Sequence, residues 1–314
     1  MLPTTLATFF GISNTAMGMS SAGIVVFVIA AWATHREFAA TRGLDRIVAL
    51  RTASVAIPIA VFGALHFFGP SFVTNIVPRY MPWRMCWVYG VGAALIGASL
   101  SLATDTAVRW SGLLFGIMMF LFVAMIHLPG AVRQPNRFIW VIVFRELSFG
   151  GAGWILAAHA MNDARGTRVV RGVGIVLITT AAIIFGVEHF LHPTGMPGVP
   201  LPKQMPAWVP GPILIGYVTG AALLATGGSV LLRRHVRTVA ACAAAWLLLM
   251  ILVIYAPVLV MALSDPGVNV QVEGINYFAD TLLFTGALLA LASAAERPVP
   301  SVDAPAALAR THER

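Results

Sequence analysis

Apolar runs of about twenty residues alternate along this chain with short stretches rich in Arg, Pro and Gly. Coiled as a helix, each run is long enough to cross a hydrocarbon core of about 30 Å. The pattern predicts nine spans, at 15–34, 47–68, 85–103, 107–128, 138–161, 172–191, 213–232, 238–263 and 275–294. A last stretch, 295–314, mixes Pro, Ala and charge and reads as a disordered cytoplasmic tail.

The polar positions between the runs set an orientation. With the N-terminus outside, the inner loops and tail collect Arg36, Arg42, Arg46, Arg51, Arg109, Arg165, Arg168, Arg171, Arg233, Arg234, Arg237, Arg297, Arg310 and Arg314, fourteen in all. The outer loops hold five basic residues, Arg79, Arg84, Arg133, Arg137 and Lys203. Basic residues gather on the cytoplasmic side, so the N-terminus is expected out and the C-terminus in. Met1 to Met19 carries no positive charge, which argues against a cleaved signal peptide and suits a first helix that starts outside.

The chain also repeats itself. Phe62-Gly63-Ala64-Leu65-His66-Phe67, with Pro70 behind it, returns as Phe185-Gly186-Val187-Glu188-His189-Phe190, with Pro193 behind it. Met81-Pro82-Trp83 resembles Met205-Pro206 with Trp208 close by, and Gly92-Ala93-Ala94-Leu95 equals Gly220-Ala221-Ala222-Leu223. Pro129 after His127 matches Pro257 after Tyr255, and Phe144-Arg145-Glu146 matches Phe278-Ala279-Asp280. Four spans per unit return the chain to the same side, so the two units are expected to be parallel. The predicted fold is therefore all-α and integral to the membrane. A leading helix and basic inner loop occupy 1–46, a first four-helix unit 47–161, a second 162–294, and the tail 295–314.

Composition narrows the function. Of 314 residues 59% are hydrophobic and 10% charged, against about 25% charged in soluble domains. The formal net charge of +8 is accounted for by loop arginines, so no nucleic acid is expected. Cys86 and Cys242 lie far apart in apolar runs and form no CxxC; they read as buried small hydrophobes. There is no nucleotide loop, nucleophile elbow or metalloprotease motif.

Ionisable side chains inside a bilayer cost about 2.5 kcal/mol or more and need a reason. His66, His127 and His189 end outward-going helices, and Glu188 precedes His189. Glu146 falls about two turns into a helix entering from outside, roughly 12 Å deep, and Asp280 is the matching acid. A histidine–carboxylate cluster near the outer leaflet of each unit follows. Such a cluster can relay protons, because histidine titrates near neutrality. Arg145 is next to Glu146, and adjacent helical residues face apart, so it is expected to snorkel outward or pair with another helix. No metal site is expected, because the spacing of His66, His127 and Glu146 is not diagnostic of one. His159 reads as interfacial at an inner helix end, and Trp83, Trp87, Trp110, Trp140 and Trp208 as an aromatic belt.

The order of these motifs resembles the DoxX family of four-helix membrane proteins, with two such units in tandem over roughly 47–294. Some members of that family are small subunits of quinol-oxidase or thiosulfate:quinone oxidoreductase systems. The resemblance implies quinone-linked redox chemistry in a bacterial plasma (inner) membrane, with a quinone as ligand, the lipid bilayer as surroundings and a redox protein as partner. It casts His66, His127, Glu146, His189 and Asp280 as proton-handling residues and Arg145 and Glu188 as ligand contacts. The second unit departs from the first at Tyr255, where the first has His127. Parallel repeats with acids inside helices also suit a small-solute transporter, and a structural subunit without its own activity is the third possibility.

Overall fold

In the computed structural model, which describes residues 11–295, apolar runs become helices. Nine of them, among the described residues, are long and apolar enough to span a membrane. They are α1 (Asn14–Ala40), α2 (Leu44–Phe68), α3 (Arg84–Ala103), α4 (Val108–Arg133), α5 (Arg137–His159), α6 (Ala164–Leu191), α7 (Pro212–Leu231), α8 (Val236–Leu263) and α9 (Val268–Ala294). The outer surface bears the mark of a multi-pass membrane protein. On α1 alone Ile24, Phe27 and Val28 are each more than half exposed, an apolar stripe that water would penalise and lipid accepts. The expected tail lies almost wholly outside the described residues, as do the first ten residues of the chain.

Helix boundaries run past the sequence expectation at several ends. Helix α1, capped at its start by Ser13, continues past its apolar run to Ala40, with no proline or glycine in its last turns to stop it. Helix α4 continues through Pro129 to Arg133 by way of a π turn, Val123–His127. Pro129 has no N–H to give, and the ladder adapts with a bond from the Leu128 N–H to the Val123 carbonyl, five residues back. Helix α8 does the same before Pro257, with a π turn at Ile251–Tyr255.

That recurrence is general. The π turns begin 128 residues apart, at 123 and 251. Helices α3 and α7 are both 20 residues long and begin at 84 and 212. Each is entered through a left-handed residue, Trp83 or Gly211. The turns that follow use left-handed Asp105 and Ala107 in one half, Arg233 and His235 in the other. Such conformations are uncommon outside glycine. Phe67 stacks on Tyr89 at 5.8 Å, and Phe190 on Tyr217 at 5.5 Å.

Consecutive helices from α2 to α9 pack in chain order, and α9 closes back onto α2. Helix α1 lies outside this ring against α2. Helices α5 and α9 are the best buried and meet at the centre. Lipid is as apolar as the side chains, so the helices associate through close packing and hydrogen bonds. A methyl on Gly174 of α6 would come within 2.7 Å of the Gly151 carbonyl on α5, and one on Gly286 of α9 within 2.9 Å of the Ser54 backbone on α2. Both contacts require glycine.

Cys86 and Cys242 are exposed, not buried. An apolar run does not reveal which of its faces meets protein and which meets lipid, and both cysteines lie on the outer face.

Candidate functional site

The last turn of α2 holds His66, whose Nδ1 lies 2.7 Å from the Phe62 carbonyl. Gly92 makes room for it: a Cβ there would stand 2.7 Å from the His66 Cβ. His127 is the last residue of the π turn in α4. Arg145 and Glu146 come from α5 and Asp280 from α9. The Arg145 guanidinium bonds the Glu146 carboxylate at 2.6 Å and the Asp280 carboxylate at 2.8 Å. Arg145 thus does pair with another helix. It also folds onto its own neighbour, because a long side chain with a fork of donors overcomes the diverging Cβ directions. All three groups are largely buried. The Arg145 charge lies 5.9 Å from the Phe149 ring centre, and its Nε is buried without a hydrogen-bond partner.

His66, His127, Arg145, Glu146 and Asp280 line one cavity of about 860 Å³. Its walls are mostly apolar, and rich in aromatic and sulfur side chains. Phe62, Phe72, Trp87, Phe115, Phe122, Phe138, Phe149 and Tyr277 face it, as do Met81, Met118, Met119 and Met125. Phe72, Val73, Ile76, Val77, Pro78 and Met81, from the connection between α2 and α3, line it at one end together with Leu201 and Pro202. Near this rim, Lys203 pairs with Glu273 at 3.1 Å and its N–H donates to the Tyr277 hydroxyl at 3.2 Å.

The expectation of one cluster in each half is corrected. Both acids belong to the single cavity, because α5 and α9 meet at the centre. His189 and Glu188 lie elsewhere. Glu188 pairs with Arg137 at the C-terminal end of α6, and the His192 imidazole is 3.8 Å away. His189, 1% exposed, is enclosed by the connection between α6 and α7. Its Nδ1 lies 2.7 Å from the Phe185 carbonyl, and its Nε2 accepts from the Gly198 N–H at 3.1 Å. Residues 195–201 of that connection are all buried, and Tyr255 donates to the Pro197 carbonyl at 2.7 Å.

At the opposite end of the bundle, His159 shares a polar cleft of about 290 Å³ with Glu37, Asp45, Arg51 and Arg237. Arg51 pairs there with Glu37 at 2.7 Å. Trp83, Trp87, Trp110, Trp140 and Trp208 are all exposed, although Trp87 also reaches the cavity. Among the described residues no three His, Cys, Asp or Glu side chains come together to hold a metal ion. Sequence reasoning missed Tyr277, one turn before Asp280, and Asn276 beside it. It also missed the aromatic and methionine walls, which look like ordinary helix core until the helices are placed.

A family model described as a domain of unknown function (DUF8561) matches residues 55–141. No curated protein and no solved structure matches the chain. The matched stretch takes in His66 and His127 and stops four residues before Arg145.

Proposed function

We propose that the chain is a membrane protein of two parallel four-helix units behind a leading helix, N-terminus outside, and that its cavity binds the ring of a lipid-soluble quinone. Residence in a bacterial inner membrane, and a family relation to DoxX proteins, belong to the same reading. The repeated backbone features support the two units, and the distribution of arginine supports the orientation. The observation that carries the ligand is the cavity itself. Four helices bring two imidazoles and an arginine-bridged pair of acids onto one space with aromatic and methionine walls. Flat rings pack well against aromatic faces and thioether sulfur. A few polar groups on an otherwise apolar wall are what orientation of a ring substituent requires.

Conversion between quinone and hydroquinone moves two protons and two electrons. His66, His127, Glu146 and Asp280 supply sites for the protons, and a redox protein in the membrane is the electron partner. The transporter reading needs a polar path between the units. The inner half of the α5–α9 seam is instead filled by Ala152, Phe284, Ala287, Leu288 and Leu291, all buried, which favours the quinone reading.

The test is titration of the purified protein with a short-tailed quinone, followed by tryptophan fluorescence. His66→Ala and Glu146→Gln are each expected to weaken binding of its hydroquinone form about tenfold, the value of one polar contact. Unchanged affinity in both variants removes the site.

A further inference from the structure

The two halves treat one position differently. His189 in the second half keeps its Nδ1 2.7 Å from the Phe185 carbonyl. A carbonyl can only accept, so Nδ1 carries the hydrogen and Nε2 of the neutral ring offers a lone pair. The Gly198 N–H donates to that lone pair at 3.1 Å. The carbonyl of the same peptide group, that of Pro197, accepts from the Tyr255 hydroxyl at 2.7 Å. One planar peptide thus spans His189 and Tyr255, with Met196 and Val199 buried on either side.

In the first half His66 stands where His189 does and makes the same bond, 2.7 Å to the Phe62 carbonyl. Its Nε2 is therefore also an acceptor, and among the described residues nothing donates to it. His127 ends the π turn that matches the one ended by Tyr255. It faces the cavity and makes no hydrogen bond among the described residues. The connection after α2 forms a short helix, Pro70–Thr74, and lines the cavity instead of filling it. Asn276 adds to the same wall an Oδ1 that is buried without a hydrogen-bond partner. The wall thus carries acceptors with nothing to accept.

We infer that the cavity selects a ligand group that donates a hydrogen bond to His66 Nε2 and accepts one from His127, as the Pro197–Gly198 peptide does between His189 and Tyr255. The chain carries in its second half an internal image of what its first half binds. For the identity of the ring this rests on the quinone reading above. A quinone carbonyl only accepts, whereas a hydroquinone hydroxyl both donates and accepts. The reduced form is therefore the one the wall holds.

The test titrates the full chain, under reducing conditions where needed, with three matched probes: a short-tailed hydroquinone, its quinone and its dimethyl ether. The hydroquinone is expected to bind about tenfold or more tightly than the other two, since each of those leaves the His66 acceptor unpaired. In His66→Ala the preference falls to about threefold or less. Quinone binding as tight as hydroquinone binding overturns the donor rule and leaves the quinone pocket standing. Failure of all three probes to bind overturns both. The comparison on the unaltered protein decides even if His66→Ala does not fold, and His127→Ala, expected to weaken all three probes and leave the preference for hydroquinone in place, is the second variant.

Discussion

Arg145 reaches Asp280 at 2.8 Å across the seam between the two central helices. The same guanidinium holds Glu146 at 2.6 Å on its own helix. One cation therefore joins matching acids from the two halves of the chain, at the level where α5 and α9 meet. The bridge ties the two helices at that level and also forms part of the cavity wall, so the cavity and the seam between α5 and α9 are one piece of structure.

Removing that cation should be costly. Arg145→Met leaves two carboxylates facing each other in a largely buried space, and loss of about 3–5 kcal/mol is expected, as for other buried pairs stripped of one partner. Thermal or denaturant unfolding of the purified protein reads it. The triple variant Arg145→Met with Glu146→Gln and Asp280→Asn should recover most of the loss. An Arg145→Met protein as stable as the parent would mean that the bridge contributes nothing.

Tyr255→Phe should act on the connection between α6 and α7. It deletes the 2.7 Å bond to the Pro197 carbonyl and leaves a buried acceptor unpaired, at a cost of about 1–3 kcal/mol. Limited proteolysis should cut the connection between α6 and α7 faster, while the preference for hydroquinone over its quinone stays, because His66 and His127 are untouched. Altered ligand affinity with an intact connection would contradict the separation of the two positions.

Orientation is open to chemical labelling. In a Cys86→Ser, Cys242→Ala background, Ala207→Cys places a thiol in the connection between α6 and α7, and Thr106→Cys places one between α3 and α4; both positions are exposed. A membrane-impermeant maleimide should label the first in intact cells and the second only after the membrane is opened. The opposite pattern would invert the assignment drawn from arginine.

Apolar run length was enough to count the spans, because a helix in lipid has no other way to satisfy its backbone. The places of Glu146 and Asp280 along their helices were also readable, since they follow from residue count. Which helices would be central was not. Glu146 and Asp280 share a cavity because α5 and α9 pack at the middle, a tertiary fact with no local signal. The fate of His189 was hidden for a related reason. Its sequence surroundings match those of His66, and only the path of residues 195–201 separates a side chain sealed by its own chain from one that faces a cavity. Cys86 and Cys242 show the same gap, since lipid and protein interior select the same apolar residues.

A π turn contains one residue more than an α-helical ladder requires, and one residue is worth about 100° of rotation. His127 and Tyr255 each close such a turn. Deleting one position upstream, Val123 or Ile251, would straighten the ladder and swing that side chain a quarter-turn or more around the helix. The aim of these two positions is thus written in the length of the backbone and not in the side chain. Imidazole can give way to phenol there without changing where it points, which lets two halves of one framework diverge in chemistry while keeping the same geometry.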